Sequence, residues 1–349
     1  MKKIKVLVID DSALIRKMLK EVFESTSDIE VVGVASDPYI ARDKIKQLNP
    51  DVITLDIEMP RMDGLQFLSN LMRLRPMPVV MVSTLTEKGA PETLEALELG
   101  AIDYICKPNA KTPEDFDQFA HHLCDKVRIA SGARVMPLES ARRAQAQSRV
   151  ITRERDENYR RMIAIGSSTG GTEAIAEVLS SLPVNCPPVV ISQHIPELFS
   201  ASLAKRLNNR YPMEVMEAEN DLEVKSGRVI IAKGGQHLRF RRKGDTLYTI
   251  LDDGPKQNLH RPSVEAMFDS LGQVAGAKRL VAVMLTGMGA DGAMAMKRLH
   301  DAGALTMAQD EASSVVWGMP KAAFELGAID ELVTLTKVAE QIMKKARQA

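Results

Sequence analysis

The chain has 349 residues, more than one average domain, and its 46 Lys plus Arg balance 46 Asp plus Glu. Two domains with cores of their own are therefore expected, and no net charge draws the chain to nucleic acid or to an anionic membrane. Hydrophobic residues at 45% and charged ones at 26% exclude a disordered polymer, and the apolar runs fall far short of the ~20 residues that span a bilayer. The basic N-terminus has no apolar stretch behind it of the kind a secretion signal needs, and Cys106, Cys124 and Cys186 are odd in number and widely spaced. Both features point to a cytoplasmic chain with reduced thiols.

From the N-terminus, Ile4–Ile9 reads as a buried strand that stops at Asp10-Asp11, and Ser12 caps a helix whose apolar face is Leu14, Ile15, Met18, Leu19, Val22 and Phe23. Val31–Ala35 reads as a second strand, Pro38–Leu48 as a second helix, and Val52–Leu55 as a third strand ending on Asp56. Turn residues follow, then a helix over Leu65–Leu74, a fourth strand over Pro78–Val82 ending on Ser83, and a fifth over Ile102–Cys106 ending on Lys107-Pro108. Short buried strands alternating with helices predict an α/β fold with a doubly wound parallel sheet.

In such a sheet Asp10, Asp11, Asp56, Ser83 and Lys107 share the crevice at the carboxyl ends of the strands. Three crowded carboxylates repel one another unless a divalent cation sits among them, and an all-oxygen ligand set favours Mg²⁺. With that charge screened, Asp56 is the best candidate for a carboxylate nucleophile toward a phosphoryl group, with a hydroxyl and an ammonium binding the transferred oxygens. Residues 1–128 resemble a two-component receiver domain, matching its acidic pair, phospho-accepting Asp, Ser or Thr, and Lys-Pro. The resemblance implies phosphorylation of Asp56 by a histidine kinase and a peptide bond before Pro108 that is often cis. Thr84 stands where many receivers carry Ala, which bears on the lifetime of the phosphoryl group.

Residues 129–159 lose the helical pattern and become rich in Arg, Ala, Gln and Glu, as expected of a solvated, partly helical linker. A second domain is expected over 160–349. Met162–Ile165 reads as a strand, and the small residues Gly166 to Thr172 as a turn leading to a helix over Glu173–Leu182. Val189–Ser192 leads to His194, and a helix follows over Leu198–Asn208. Glu214–Ala218, Arg228–Ala232, His237–Phe240 and Leu247–Leu251 read as shorter strands that include an antiparallel hairpin. Helices are then expected over Val264–Val274 and Ala293–Ala302, strands over Leu280–Leu285 and Leu305–Ala308, and a closing amphipathic helix over Leu335–Lys345.

Three strands of this second domain deliver Ser168, His194 and Asp291 to their carboxyl ends. That set supplies a hydroxyl, a base to deprotonate it and a carboxylate to orient the base. Ser168 lies nearer the helix entrance than Ser167, so its hydroxyl and the following amides face one point. Among the six histidines His194 directly ends a buried strand, His237 reads as structural, and His260 is the rival, kept as a substrate contact. Gly287 and Gly289 free main-chain amides, that of Met288 among them, to serve an oxyanion.

The segments 166–172, 192–194, 260–263 and 285–292 together resemble the chemotaxis protein-glutamate methylesterase family, and with the receiver and linker the likeness covers the whole chain. It implies Ser168 as nucleophile, His194 as general base and acid, and Asp291 as its orienting carboxylate, with no cofactor for the ester hydrolysis. The implied substrates are methylated glutamyl side chains of methyl-accepting chemoreceptors, and many members also deamidate receptor glutamines. A non-enzymatic binding module would leave Ser168 dispensable. A dinucleotide binder would need an acidic ribose contact about 20 residues past the glycines, where Pro187 to Ser192 offers none. The linker leaves room for steric coupling, with the unphosphorylated receiver near the catalytic mouth and Ser83 and Tyr104 as switch residues.

Overall fold

Near-continuous Val, Ile and Leu runs, the composition of strands covered on both faces, build the central sheet of each of two units. The computed structural model describes residues 3–84, 89–108, 112–133, 135 and 159–348. Most of the linker expected over 129–159 lies outside the described residues, and each unit is taken by itself.

The first unit runs β1 (Ile4–Ile9), α1 (Ala13–Glu24), β2 (Ile29–Ala35), α2 (Pro38–Leu48), β3 (Val52–Asp56), α3 (Gly64–Leu74), β4 (Val79–Ser83), α4 (Gly89–Glu98), β5 (Asp103–Cys106) and α5 (Pro113–Gly132). All sheet pairings are parallel, in the order β2-β1-β3-β4-β5. The order reverses between β1 and β3, the place where open α/β sheets hold ligands, and Asp10 and Asp56 follow or end those two strands. Short side chains start the helices: Ser12, Asp37 and Asp63 each accept a backbone N–H of the first turn, and Thr112 forms a capping box with Asp115. Gly64 lets α3 start against the end of β3, because a Cβ there would lie 2.1 Å from the Asp56 carbonyl oxygen. Helix α4 escapes a reading by periodicity, since Gly89, Ala90 and Pro91 open it with little apolar signal. Helix α5 continues to Gly132, past residue 128. The cis peptide among the described residues joins Arg261 and Pro262; Lys107–Pro108 is trans, which corrects the expectation drawn from receivers.

The second unit runs β6 (Met162–Ser167), α6 (Gly171–Ser180), β7 (Val189–Gln193), α7 (Glu197–Arg210), β8 (Glu214–Glu217), β9 (Glu223–Val224), β10 (Arg228–Ile231), β11 (His237–Lys243), β12 (Thr246–Asp252), α8 (Val264–Val274), β13 (Leu280–Met284), α9 (Ala293–Asp301), β14 (Leu305–Gln309), α10 (Met319–Glu325), β15 (Glu331–Val333) and α11 (Leu335–Ala346). Seven strands form a parallel sheet in the order β15-β14-β13-β6-β7-β10-β8. The expected hairpin is β11–β12, and the two-residue β9 adds a third antiparallel strand beside it. Its length explains why alternation in the sequence does not reveal it.

The direction of winding reverses between β6 and β13, so the carboxyl ends of β13, β6 and β7 stand side by side at the switch point. Helix α8 covers this centre. Val264, Met267, Phe268 and Leu271 are fully buried in one cluster with Ala164 of β6, Val190 of β7 and Ala282 and Met284 of β13. Phe268→Ala is expected to destabilise this unit by about 3–5 kcal/mol, the usual range for emptying a buried aromatic site. Denaturant unfolding should show the loss in the second unit's transition and leave the first unit's midpoint in place.

Candidate functional site

Two clusters form, one at each switch point. In the first unit the carboxylates of Asp10, Asp11 and Asp56 each offer an oxygen, all within 4.8 Å of one another. Lys107 Nζ lies 2.7 Å from Asp56 Oδ2 and 3.0 Å from Asp10 Oδ2. Asp10 Oδ1 accepts the Ser12 N–H at 2.8 Å, whereas its buried Oδ2 has no aligned hydrogen-bond donor. Burial pushes the Asp56 carboxyl up to about 6, and repulsion from Asp10 and Asp11 adds to this against the lowering effect of Lys107. An excess of buried carboxylate charge over one ammonium, with an underused inward oxygen, is a donor set that fits a hard divalent cation. Ser83 ends the neighbouring strand, and its hydroxyl accepts the Thr93 hydroxyl of α4 at 3.1 Å. Tyr104 is buried on β5, with Lys126 Nζ 5.9 Å from its ring centroid and 2.6 Å from Asp103 Oδ2.

In the second unit Ser168, half-buried, follows the last residue of β6 directly. Its N–H donates to Thr286 O at 3.1 Å, and its carbonyl accepts the Gly171 N–H at 2.8 Å and Gln193 Nε2 at 2.8 Å. Gln193 Nε2 also donates to the His194 carbonyl at 3.1 Å, while Gln193 Oε1 accepts the Ser167 hydroxyl at 2.7 Å. One amide side chain thereby ties the backbone of Ser168 to that of His194. Ser167, fully buried, belongs to this bracket, so of the two adjacent hydroxyls Ser168 alone is partly open.

The His194 side chain is 8% exposed, and its Nε2 lies 2.8 Å from Asp291 Oδ2. That oxygen also accepts the Val264 N–H at 2.7 Å, while Oδ1 accepts Asn258 Nδ2 and Ser263 Oγ, both at 2.8 Å. An ionised carboxylate only accepts, so the Nε2 of His194 carries the proton and Nδ1 holds the lone pair. His194 Nδ1 is buried and has no hydrogen-bond partner among the described residues. Burial raises the Asp291 pKa, yet the donors from His194, Asn258 and Ser263 outweigh it and hold this carboxyl well below the usual range. The ring of His260 stacks on His194 with centroids 3.7 Å apart and planes 10° apart.

Gly287 brings the β13 loop against the serine: a Cβ there would lie 2.9 Å from Ser168 Cβ and 2.4 Å from Met319 Sδ. Its N–H donates to Val316 O, and its carbonyl accepts Gly318 and Met319, while the next N–H, that of Met288, has no backbone acceptor among the described residues. His237 is buried, with Nε2 against Pro255 O at 2.9 Å, as expected of a structural histidine. The structure brings Ser168, His194 and Asp291 to one place. It also brings in Gln193 and Ser263 from the motif segments, and His260, expected as a substrate contact, lies stacked on His194; Asn258, outside those segments, carries no signal in the sequence.

A family model described as CheB methylesterase matches residues 163–342, and one described as response regulator receiver domain matches residues 6–114. The chain is 52% identical over 347 residues to "protein-glutamate methylesterase/protein-glutamine glutaminase 2" of Saccharophagus degradans, covering 99% of each chain. It is 49% identical over 348 residues to "protein-glutamate methylesterase/protein-glutamine glutaminase" of Nitrosomonas europaea, covering 99% of this chain and 97% of the relative. Among solved structures, the CheB methylesterase catalytic domain of Thermotoga maritima aligns with a TM-score of 0.51 at 36% identity, over 53% of this chain and 97% of that one.

The raised Asp56 pKa has a thermodynamic consequence. The folded state binds this proton more tightly than the unfolded chain, so the first unit loses stability as pH rises from about 4 through about 6. At pH 7.5 without divalent cations, Asp56→Asn is expected to stabilise this unit by on the order of 1–2 kcal/mol after allowance for solvent screening. Mg²⁺ should raise the wild-type thermal midpoint more than the variant's, and its affinity for wild type should weaken below about pH 6. Calorimetric scans with and without Mg²⁺ check all three.

Proposed function

The chain belongs to the CheB methylesterase family, and from that premise we propose that it hydrolyses glutamate γ-methyl esters on methyl-accepting chemoreceptors and deamidates receptor glutamines. Ser168, His194 and Asp291 carry the reaction, and phosphorylation of Asp56 raises its rate. The observation that carries this reading is the His194 imidazole held through Nε2 by the Asp291 carboxylate at 2.8 Å, with its buried Nδ1 unpartnered among the described residues and the residue's backbone tied to Ser167 and Ser168 by the His194 N–H to Ser167 O bond at 3.1 Å and the Gln193 bracket.

Nδ1 of His194 takes the Ser168 proton as Oγ forms a bond to the ester carbonyl carbon. Asp291 stabilises the resulting imidazolium, and the N–H of Met288 is the donor assigned to the oxyanion. His194 then returns the proton to the departing methoxide, releasing methanol and leaving a glutamyl ester on Ser168. Water, deprotonated by the same Nδ1, attacks that ester and frees Ser168 and the glutamate. With a glutamine side chain the leaving group is ammonia, and the steps are otherwise the same. His260 covers one face of the His194 ring and so restricts its rotation.

In the first unit Asp10, Asp11 and Asp56 would hold Mg²⁺, whose bound charge screens the carboxylates and the incoming phosphoryl oxygens. Asp56 accepts the phosphoryl group from a histidine kinase, and Lys107 and Ser83 bind its oxygens, Ser83 after leaving Thr93. Tyr104 repacks in response. A receiver that runs to the end of α5 at Gly132, a linker and a catalytic unit from residue 160 accompany this reading, as does a cytoplasmic location. No helix among the described residues is long and apolar enough to cross a membrane.

Ser168→Ala should lower methanol release from methylated receptor membranes by several orders of magnitude, whereas Ser167→Ala costs far less. Asp291→Asn should lower kcat by roughly 10³–10⁴-fold, because an amide group sets a donor against the donors now facing the carboxylate and destroys the preference for the Nε2–H tautomer. Loss of labelling by a serine-reactive phosphonate in Ser168→Ala, with wild-type circular dichroism, identifies the nucleophile.

Acetyl phosphate with Mg²⁺ should label wild type but not Asp56→Asn. It should speed the wild-type esterase by about tenfold or more, on the order of 1.4 kcal/mol for each factor of ten, and leave Asp56→Asn at its basal rate. Equal stimulation of both proteins would count against phosphorylation at Asp56 as the switch.

A further inference from the structure

The loop between β12 and α8 carries a feature that holding Asp291 and His194 does not require. Gln257 and His260 exchange both backbone hydrogen bonds, Gln257 N–H to His260 O at 3.1 Å and His260 N–H to Gln257 O at 2.9 Å, closing a two-residue turn. Both central residues have positive φ, Asn258 at 51° and Leu259 at 69°. That is the pattern of a type I′ turn, where Asn at the first position is ordinary and Gly is strongly preferred at the second. Leu259 occupies the second position, against the steric preference of a branched side chain, and it is 77% exposed.

A single exposed leucine is common on protein surfaces and needs no account. The position of this one does. Its preceding residue donates to Asp291 Oδ1 and its following residue stacks on His194, so the turn fixes the Leu259 Cα beside the two groups that activate Ser168. The fold gains little burial from the leucine, and the backbone would be more relaxed with Asn or Gly there. Strained residues at such places persist where the side chain itself is used.

We propose that Leu259 is a specificity-determining residue at the rim of the esterase site. It packs against an apolar side chain of the substrate helix next to the esterified glutamate and favours a protein substrate over a small ester. This rests on the reading of Ser168, His194 and Asp291 as an esterase acting on receptor helices. An amphipathic or bundled helix presents apolar residues three or four positions from a surface glutamate, within reach of a fixed leucine.

The test uses the full-length protein with acetyl phosphate and Mg²⁺, and compares wild type with Leu259→Asn, Leu259→Gly and Leu259→Met. Asn and Gly relieve the backbone and should raise the thermal midpoint of the second unit by roughly 2–4 °C. The same two variants should raise KM for methylated receptor membranes fivefold or more, while kcat/KM for p-nitrophenyl acetate stays within twofold of wild type. Leu259→Met keeps an apolar side chain and should retain wild-type KM on receptors. A structural role alone moves the midpoint without separating the two substrates. Wild-type receptor kinetics in Leu259→Asn would overturn the proposal, as would an equal loss on receptor and small ester. Absence of methanol release by wild type would overturn the esterase reading and the proposal with it. That outcome is distinct, because failure of the proposal alone leaves wild type active.

Discussion

A carboxylate buried at 3% exposure has to be surrounded by donors, and Asp291 obtains them from three separate segments of the chain. His194 comes from the end of β7, Asn258 from the turn after β12, and Ser263 and Val264 from the start of α8. Each bond satisfies part of the same charge, so the geometry of the imidazole, the turn and the helix N-terminus is set together. The N-terminus of α8 adds its favourable dipole to the negative charge. The same helix buries Phe268 and Leu271 under the central strands, so packing of the core and orientation of His194 are coupled through a single helix.

The first unit shows the opposite balance with the same ingredients. Asp56 is as buried as Asp291, but its neighbours are two further carboxylates and one ammonium. Asp291 is therefore held ionised well below the usual range, whereas Asp56 is pushed up to about 6. One carboxylate is finished by the protein and serves as a fixed charge. The other accepts one ammonium and otherwise faces carboxylates, which leaves its charge only partly compensated. Both lie where the winding of a parallel sheet reverses, which leaves a crevice between helices that depart to opposite faces.

Much of this was legible from residue order. Runs such as Val79–Ser83 and Leu280–Met284 are buried on both faces and read as strands of a parallel sheet, and the residue that ends each run falls at the ligand-bearing edge. For that reason Asp10, Asp56, Lys107, Ser168, His194 and Asp291 could all be named from their places after apolar runs. The short elements β9, α10 and β15 are invisible in the sequence, because two to seven residues carry too little periodicity to distinguish them from loops.

What only the tertiary structure decided is how those residues are held. The pairing of Gln193 with Ser168 and Ser167, of Asn258 and His194 with Asp291 and of His260 with His194 joins residues 25 to 97 positions apart. Such pairs follow from strand order and loop path, which no local window contains. The positive φ of Leu259 is of the same kind: its own side chain disfavours it, and the closed turn between two anchored neighbours imposes it. The sequence by itself determined the parallel strands and the chemistry at their ends, because both depend on local periodicity. The orientation of His194, its tautomer and the rim of the site were decided by long-range hydrogen bonds and stacking.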